Sequence, residues 1–512
     1  MSSTEKRALS LAALLLLASL AALVHPWYVR NADAAMYIVT ARALAAGEGY
    51  RFLGEPFLVR PPGFSLLLTP VIALRGGSDF AWLNGLVALC GAFGVAALYA
   101  LARPRLGWPL ALVAAGLLWL NPGYQRLCTT ILSDVPGTAA ALACLAWEMR
   151  RGERRTATEW GFAVAIACAV WLRSANLLLI PAIVLARTFA MGAPLDRDRL
   201  VACLRTPVAA LLLAAPWFVY GALQATDQPA DQTRLAGYAT AMFHEDPGDP
   251  SSRALGAAEI AARVPQRAVQ LLAVLGTRLD TTVKGGEHDP RAGGAVRAAG
   301  RDGAAVGALS IAIGAAMLLG LLLDGWRARN AAAWFALGST AVLLVYFGFQ
   351  DRLALPIFAL ALVSSLAWLR EGASRWLGES RATLVVGVAA LGVGVVDFAP
   401  REGWAALQQD HERMRTEAAL VGDELAAGER VASWRGFHHA VFLERPVYSL
   451  HRSVGRLGAA EGIAAVVGPY RVDTVFLTVG GLSAVRDELS AQYGPPRRLR
   501  GSATGEVWRV VR

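Results

Sequence analysis

Residues 31–68 read NADAAMYIVTARALAAGEGYRFLGEPFLVRPPGFSLLL, and this stretch decides how the rest of the chain is read. It follows an apolar run at 8–25 that is long enough to cross a hydrocarbon core of ~30 Å. Asp33 therefore stands at a membrane edge. A short helix is expected over about 34–46, with Asp33 capping its exposed backbone N–H groups. Gly47 and Gly49 end that helix, because glycine tolerates the left-handed backbone of a helix C-terminus. Arg60-Pro61-Pro62-Gly63 forms a basic turn that brings the chain back to the surface. The apolar run from Phe64 to Leu74, interrupted by Pro70, is too short to span and reads as a re-entrant or in-plane piece.

Outward from there, the composition excludes an ordinary soluble protein. The chain has 512 residues, 55% of them hydrophobic and only 17% charged. Apolar runs recur at 8–25, 81–102, 109–125, 135–149, 159–173, 175–190, 206–222, 303–323, 331–349, 353–369 and 383–398, about eleven spans. The N-terminal run reads as an uncleaved first span, since HPWYVR offers no small-residue cleavage site. The net charge of +10 is almost wholly arginine, with Lys6 and Lys284 the two lysines. Those arginines cluster in alternate links: 103–108, 150–158, 191–205, 324–330 and 370–382. A cytoplasmic N-terminus places all five links inside, so the charge reports membrane topology and not a nucleic-acid-binding face. The first outer loop, 26–80, goes against this rule, carrying Arg30, Arg42, Arg51, Arg60 and Arg75.

Two further regions stand out. A long outer loop over 223–302 contains HEDPGDPSS and GGEHDPRAGG around an amphipathic segment, AAEIAARVPQRAVQLLAVLG, suited to lying on a membrane. After residue 399 the composition changes. Strand-like runs at 430–434, 446–450, 474–479 and 506–511 alternate with helical stretches at 402–427, 459–467 and 483–492. This predicts a small soluble α/β domain over 400–512, outside by the span count, with 1–399 as the transmembrane part. It has no Gly-rich phosphate loop and reads as a lid or partner-binding domain. The five cysteines lie in or beside apolar runs without CxxC spacing, so they read as small buried hydrophobes.

Two acidic residues carry the candidate chemistry. Asp33 and Asp134, the latter in Thr130-Ile131-Leu132-Ser133-Asp134-Val135-Pro136, are both expected at the outer membrane edge. Either alone also reads as a residue of a helix first turn. Together they suit a carboxylate that accepts a proton from an attacking hydroxyl, or that holds a metal ion. Arg60, Arg173 (in Trp171-Leu172-Arg173-Ser174) and Arg352 (in Gln350-Asp351-Arg352-Leu353) are the basic set on the same side. Each alone also reads as a headgroup contact; converging, they suit a lipid-linked phosphate, which guanidinium binds bidentately. His244-Glu245-Asp246 and Glu287-His288-Asp289 offer a surface metal site or simply solvated loop.

Ala32-Asp33-Ala34-Ala35-Met36-Tyr37, Ala41-Arg42-Ala43-Leu44-Ala45-Ala46-Gly47, Arg60-Pro61-Pro62-Gly63, Asp134-Val135-Pro136, Arg173-Ser174, Pro216-Trp217 and Arg352 with Pro356 follow in that order. In this order they resemble the GT-C superfamily of polyprenyl-phosphate-sugar glycosyltransferases. The likeness is to bacterial relatives of the protein O-mannosyltransferases and of the lipid A aminoarabinose transferase, and it covers most of residues 1–370. It implies an α-helical polytopic membrane fold and an inverting transfer on the outer face of the bacterial cytoplasmic membrane. The donor would be a polyprenyl-phosphate sugar, and the acceptor an envelope lipid, glycan or protein. By the same resemblance Asp33 and Asp134 are catalytic, while Arg60, Arg173, Arg352 and Tyr37 contact the donor's lipid phosphate. No cofactor is assigned, although a divalent cation is possible. Two positions depart from the family pattern: Ala34 stands where many members have Glu, which bears on a metal role, and Leu353 replaces a tyrosine after Arg352. The competing class is a lipid or glycan transporter or flippase, which would place ionisable residues near the midplane, where these spans have almost none.

Overall fold

The computed structural model describes residues 2–150, 156–191, 197–224, 242–245, 252–276, 304–346, 350–396, 404–426, 428–478, 483–499 and 505–510. It is mostly helical. The described residues form two compact units: 1–24, 84–223 and 254–400 in the first, and 25–83, 224–253 and 401–512 in the second.

The first unit is built from apolar helices. Among the described residues, five helices are long and apolar enough to cross a membrane: Ser3–Leu23 (α1), Phe80–Leu120 (α4), Arg197–Leu223 (α9), Ser310–Arg327 and Asp351–Leu377. Helix α4 runs on into two of the expected spans. It kinks at Gly107, whose φ of 71° and ψ of 164° leave the helical region, between Pro104 and Pro109. Proline supplies no N–H for the helical ladder and glycine alone takes that backbone easily, so the chain turns there. Shorter apolar helices include Thr158–Leu172, Ser174–Ala190 and Ala331–Val345.

Buried ion pairs tie these helices together. Glu5 of α1 meets Arg103 at 2.6 Å and accepts a hydrogen bond from the Tyr99 hydroxyl at 2.9 Å. Arg105 pairs with Asp324, which also accepts from Ser364 at 2.7 Å. Arg187 reaches both oxygens of Glu148, at 2.9 and 2.8 Å. Charges this deep persist only when paired.

The amphipathic segment of the expected long loop is described, as helices Ala257–Ala261 and Val264–Gly276. Part of its apolar face is covered by the protein itself. Leu271, Val274 and Leu275 are buried, and the helix packs on Ala304–Ala328 so closely that a Cβ at Gly314 would fall 1.9 Å from the Leu272 carbonyl oxygen. Most of 223–302 lies outside the described residues, as do Asp246 and Glu287-His288-Asp289.

The second unit holds Ala32–Ala45 (α2), a short hairpin of Arg51–Phe52 (β1) and Glu55–Pro56 (β2), and Gly63–Arg75 (α3). Thr40 and Ser65 share a buried hydrogen bond of 2.7 Å that joins α2 to α3. The same unit contains a five-stranded sheet: Val431–Ser433 (β3), Val447–Ser449 (β4), Thr474–Leu477 (β5), Arg497–Arg498 (β6) and Glu506–Arg509 (β7), ordered β4-β3-β5-β7-β6. Strands β4, β3 and β5 are parallel, with Val431 opposite both Val447 and Thr474, while β7 runs antiparallel to β5. Every residue of β3, β4 and β5 is buried, as expected of parallel strands covered on both faces by helices. Helices Trp404–Gly422, Gly436–Leu443, Ala459–Val467 and Ser483–Tyr493 alternate with the strands.

Candidate functional site

The candidate residues fall into two clusters, one in each unit. In the second unit Asp33 lies in the first turn of α2, but it is not the cap. That place belongs to Asn31, whose backbone is extended (φ −156°, ψ 133°) and whose side-chain oxygen accepts from the Asp33 N–H at 2.9 Å. The capping residue must stand just outside the helix with non-helical dihedrals, and the helix begins two residues earlier than the sequence suggested. The correction matters chemically. Because it does not cap, the Asp33 carboxylate turns instead to Arg60, whose Nη2 lies 3.0 Å from Oδ1.

The RPPG turn that presents Arg60 is held from its back. The Tyr50 hydroxyl donates to the carbonyls of Arg60 and Pro61, at 2.9 and 3.3 Å. The Tyr50 ring packs edge-on against Phe57, which is fully buried. Asp33 keeps 15% of its side-chain surface exposed and Arg60 22%, so a reactant can reach the pair. Tyr37 has its ring buried edge-on against Phe64, 4.8 Å between centroids.

In the first unit, Asp134 opens helix Asp134–Glu148 (α6) and is only 3% exposed. Its Oδ1 lies 2.6 Å from Arg173 Nη1, and its Oδ2 lies 3.4 Å from Arg352 Nη1. Arg352 also donates from Nε to Gln350 at 2.8 Å. One carboxylate between two guanidinium groups leaves the cluster with a net positive charge.

Asn176 and Gly137, which sequence reasoning did not single out, help to build this cluster. Arg173 sits extended between helix Thr156–Leu172 (α7) and the turn Ser174–Leu178. Asn176, fully within the protein, donates to the carbonyls of Gly137 and Ala169, each at 2.9 Å, and so pins that turn to α6 and α7. Gly137 lets Arg173 cross the first turn of α6: a Cβ there would meet Arg173 Cβ at 2.8 Å and Cδ at 3.0 Å. A glycine three residues after an acidic helix start was the available signal.

Among the described residues the donor set does not suit a divalent cation. Both oxygens of Asp134 face guanidinium groups, and Asp33 faces a third. Among the described residues no group of three or more His, Cys, Asp or Glu side chains could hold a metal ion. His244 and Glu245 are engaged with Ser252 and Arg253, at 2.8 and 3.2 Å.

Residues 59–223 match the model of the dolichyl-phosphate-mannose-protein mannosyltransferase family. Among solved structures, ArnT from Cupriavidus metallidurans bound to undecaprenyl phosphate is similar over 99% of this chain and 98% of its own, with a TM-score of 0.59 and 14% identity. The chain shares the fold of ArnT. The archaeal oligosaccharyltransferase AglB from Archaeoglobus fulgidus, in complex with an inhibitory peptide and a dolichol-phosphate, is similar over 91% of this chain and 69% of its own, with a TM-score of 0.52 and 13% identity. Comparison with curated proteins finds no match. The resemblance read from the sequence is borne out, and the five long apolar helices among the described residues make this a multi-pass membrane protein.

Proposed function

We propose that this GT-C chain is an inverting membrane glycosyltransferase that moves a sugar from a polyprenyl-phosphate donor to an envelope lipid, glycan or protein. The observation that carries the reading is the buried Asp134 flanked by Arg173 and Arg352, at 2.6 and 3.4 Å. Such a cluster suits a departing phosphate. As the bond from the anomeric carbon to the phosphate oxygen breaks, negative charge grows on that oxygen. Preorganised guanidinium groups lower the barrier by stabilising it.

The two aspartates then take different roles. Asp134 holds the arginines in place, its two oxygens lying 2.6 and 3.4 Å from their guanidinium groups. Asp33, partly exposed and paired with Arg60, takes the proton from the acceptor hydroxyl as that oxygen attacks the anomeric carbon. The glycosidic bond forms, configuration inverts, and polyprenyl phosphate leaves. Arg60 orients Asp33.

The finer organisation belongs to the same proposal. We place about eleven spans in 1–399, with the N-terminus cytoplasmic and 400–512 on the outer face of the inner membrane, supported by the arginine-rich links. The test is direct: purified protein is incubated with a panel of undecaprenyl-phosphate sugars, and release of undecaprenyl phosphate is followed by mass spectrometry. Release that depends on both donor and acceptor is the expected result. Movement of a labelled lipid across vesicles with no sugar transfer would replace this reading with transport.

A further inference from the structure

The helix that carries Asp33 is tied to residues some four hundred positions away in the chain. Tyr28, three residues before the Asn31 cap, is 1% exposed. Its hydroxyl donates to the Asn31 carbonyl at 3.1 Å and lies 2.9 Å from His438 Nδ1. Its backbone N–H donates to His411 Nδ1 at 3.0 Å. A tyrosine hydroxyl has one proton; when it is given to Asn31, the bond to His438 requires the tautomer that carries its proton on Nδ1. The Asn31 carbonyl receives a second bond from the Ala35 N–H at 3.1 Å, inside the first turn of α2.

Ring packing closes the same region. The Tyr28 ring lies against Phe80, His438 and Phe442, and Phe80 and Phe442 both meet His411. Near the other end of α2, Arg42 donates to the Ala440 and Val441 carbonyls at 3.2 and 2.7 Å, at the C-terminal turn of helix Gly436–Leu443. A cation there also offsets the negative end of that helix. The helix Gly436–Leu443 thus grips α2 from both ends.

We propose that His438 and Tyr28 are positioning residues: through Asn31 they set where the first turn of α2 begins and hence where the Asp33 carboxylate stands against Arg60. This inference rests on the role given to Asp33 above. The physical reason is leverage. A cap fixes the dihedrals at which a helix starts, and Asp33 lies two residues from it. An ångström of displacement at a reacting carboxylate is enough for a large loss of rate. The residues 401–512 then contribute to transfer without touching the donor.

The experiment uses full-length protein carrying His438→Leu, His438→Asn or Tyr28→Phe. Asparagine keeps an N–H donor near the Nδ1 position; leucine does not. Hydrogen–deuterium exchange over 32–37 is expected to speed up about tenfold in His438→Leu and Tyr28→Phe and to return toward wild type in His438→Asn. With the undecaprenyl-phosphate sugar that the wild type uses best, kcat should fall about tenfold in the same two variants while donor KM stays within about twofold. His438→Asn should recover most of the rate. If His438→Leu fails to fold, Tyr28→Phe, which removes one oxygen, carries the test. Unchanged exchange over 32–37 in Tyr28→Phe overturns the inference. So does altered exchange with kcat intact. A wild-type protein inactive with every donor, with exchange still responding, overturns the proposed function instead.

Discussion

Arg173 and Asp134 stand 2.6 Å apart at the start of α6, and the contact exists because residue 137, one turn on, has no side chain. Arg352 adds a second guanidinium to the same carboxylate from 218 residues away. Positive charge is thus concentrated around one buried acidic residue.

This arrangement separates the two aspartates experimentally. Asp134→Asn should destabilise the protein by about 3–5 kcal/mol, because two poorly solvated guanidinium groups lose the charge between them. Asp33→Asn should leave the melting temperature close to wild type and abolish sugar transfer, while undecaprenyl phosphate still binds. Thermal melting and a donor-hydrolysis assay on both variants decide the matter; full activity in Asp33→Asn would remove its assigned role.

Gly137→Ala adds a Cβ within 2.8 Å of Arg173 Cβ. Overpacking of this kind costs about 1–3 kcal/mol, and the strain should be relieved by moving Arg173. A fall in kcat larger than the loss of stability explains is the expected outcome, read from transfer rates at a temperature where both proteins are fully folded.

Asn31→Ala removes the side-chain acceptor of the Asp33 N–H, and loss of such a cap costs about 1 kcal/mol. Asn31→Asp should be nearly neutral in stability, since aspartate caps as well. Its added charge beside Asp33 should weaken transfer, and melting curves paired with rates for the two variants would expose a split between them.

Acid should loosen the second unit. Burial pushes the His438 imidazole down to about 3 from the usual 6.5, and His411 and His439 shift the same way for the same reason. As pH falls below 6.5 the unfolded chain takes up protons that the folded one refuses, so protons favour unfolding. Stability is full above pH 6.5 and is lost progressively toward pH 3. Melting temperatures measured from pH 8 to pH 4 should decline, and less steeply in His438→Asn. Equal slopes would show that His438 does not contribute.

The strand positions near 431, 447, 474 and 506 and the helices between them were readable because alternation and composition are local properties. Asp33, Asp134 and the three arginines could be nominated for the same reason: charged residues beside apolar runs are conspicuous. The capping role was misplaced by two residues, since asparagine and aspartate are both good caps and only the backbone dihedrals distinguish which stands outside the helix. The apolar face of 264–276 offered no means of telling a lipid surface from a neighbouring helix.

By itself the sequence determined the membrane-embedded class, the family likeness and the charged residues available for chemistry, because hydropathy, arginine distribution and motif order lie along the chain. Which carboxylate meets which guanidinium was decided only by the tertiary structure. So was the reach of His438 to Tyr28 across 410 residues. Ion pairs and hydrogen bonds act over a few ångströms in space, and separation along the chain carries no information about them until packing brings the partners together.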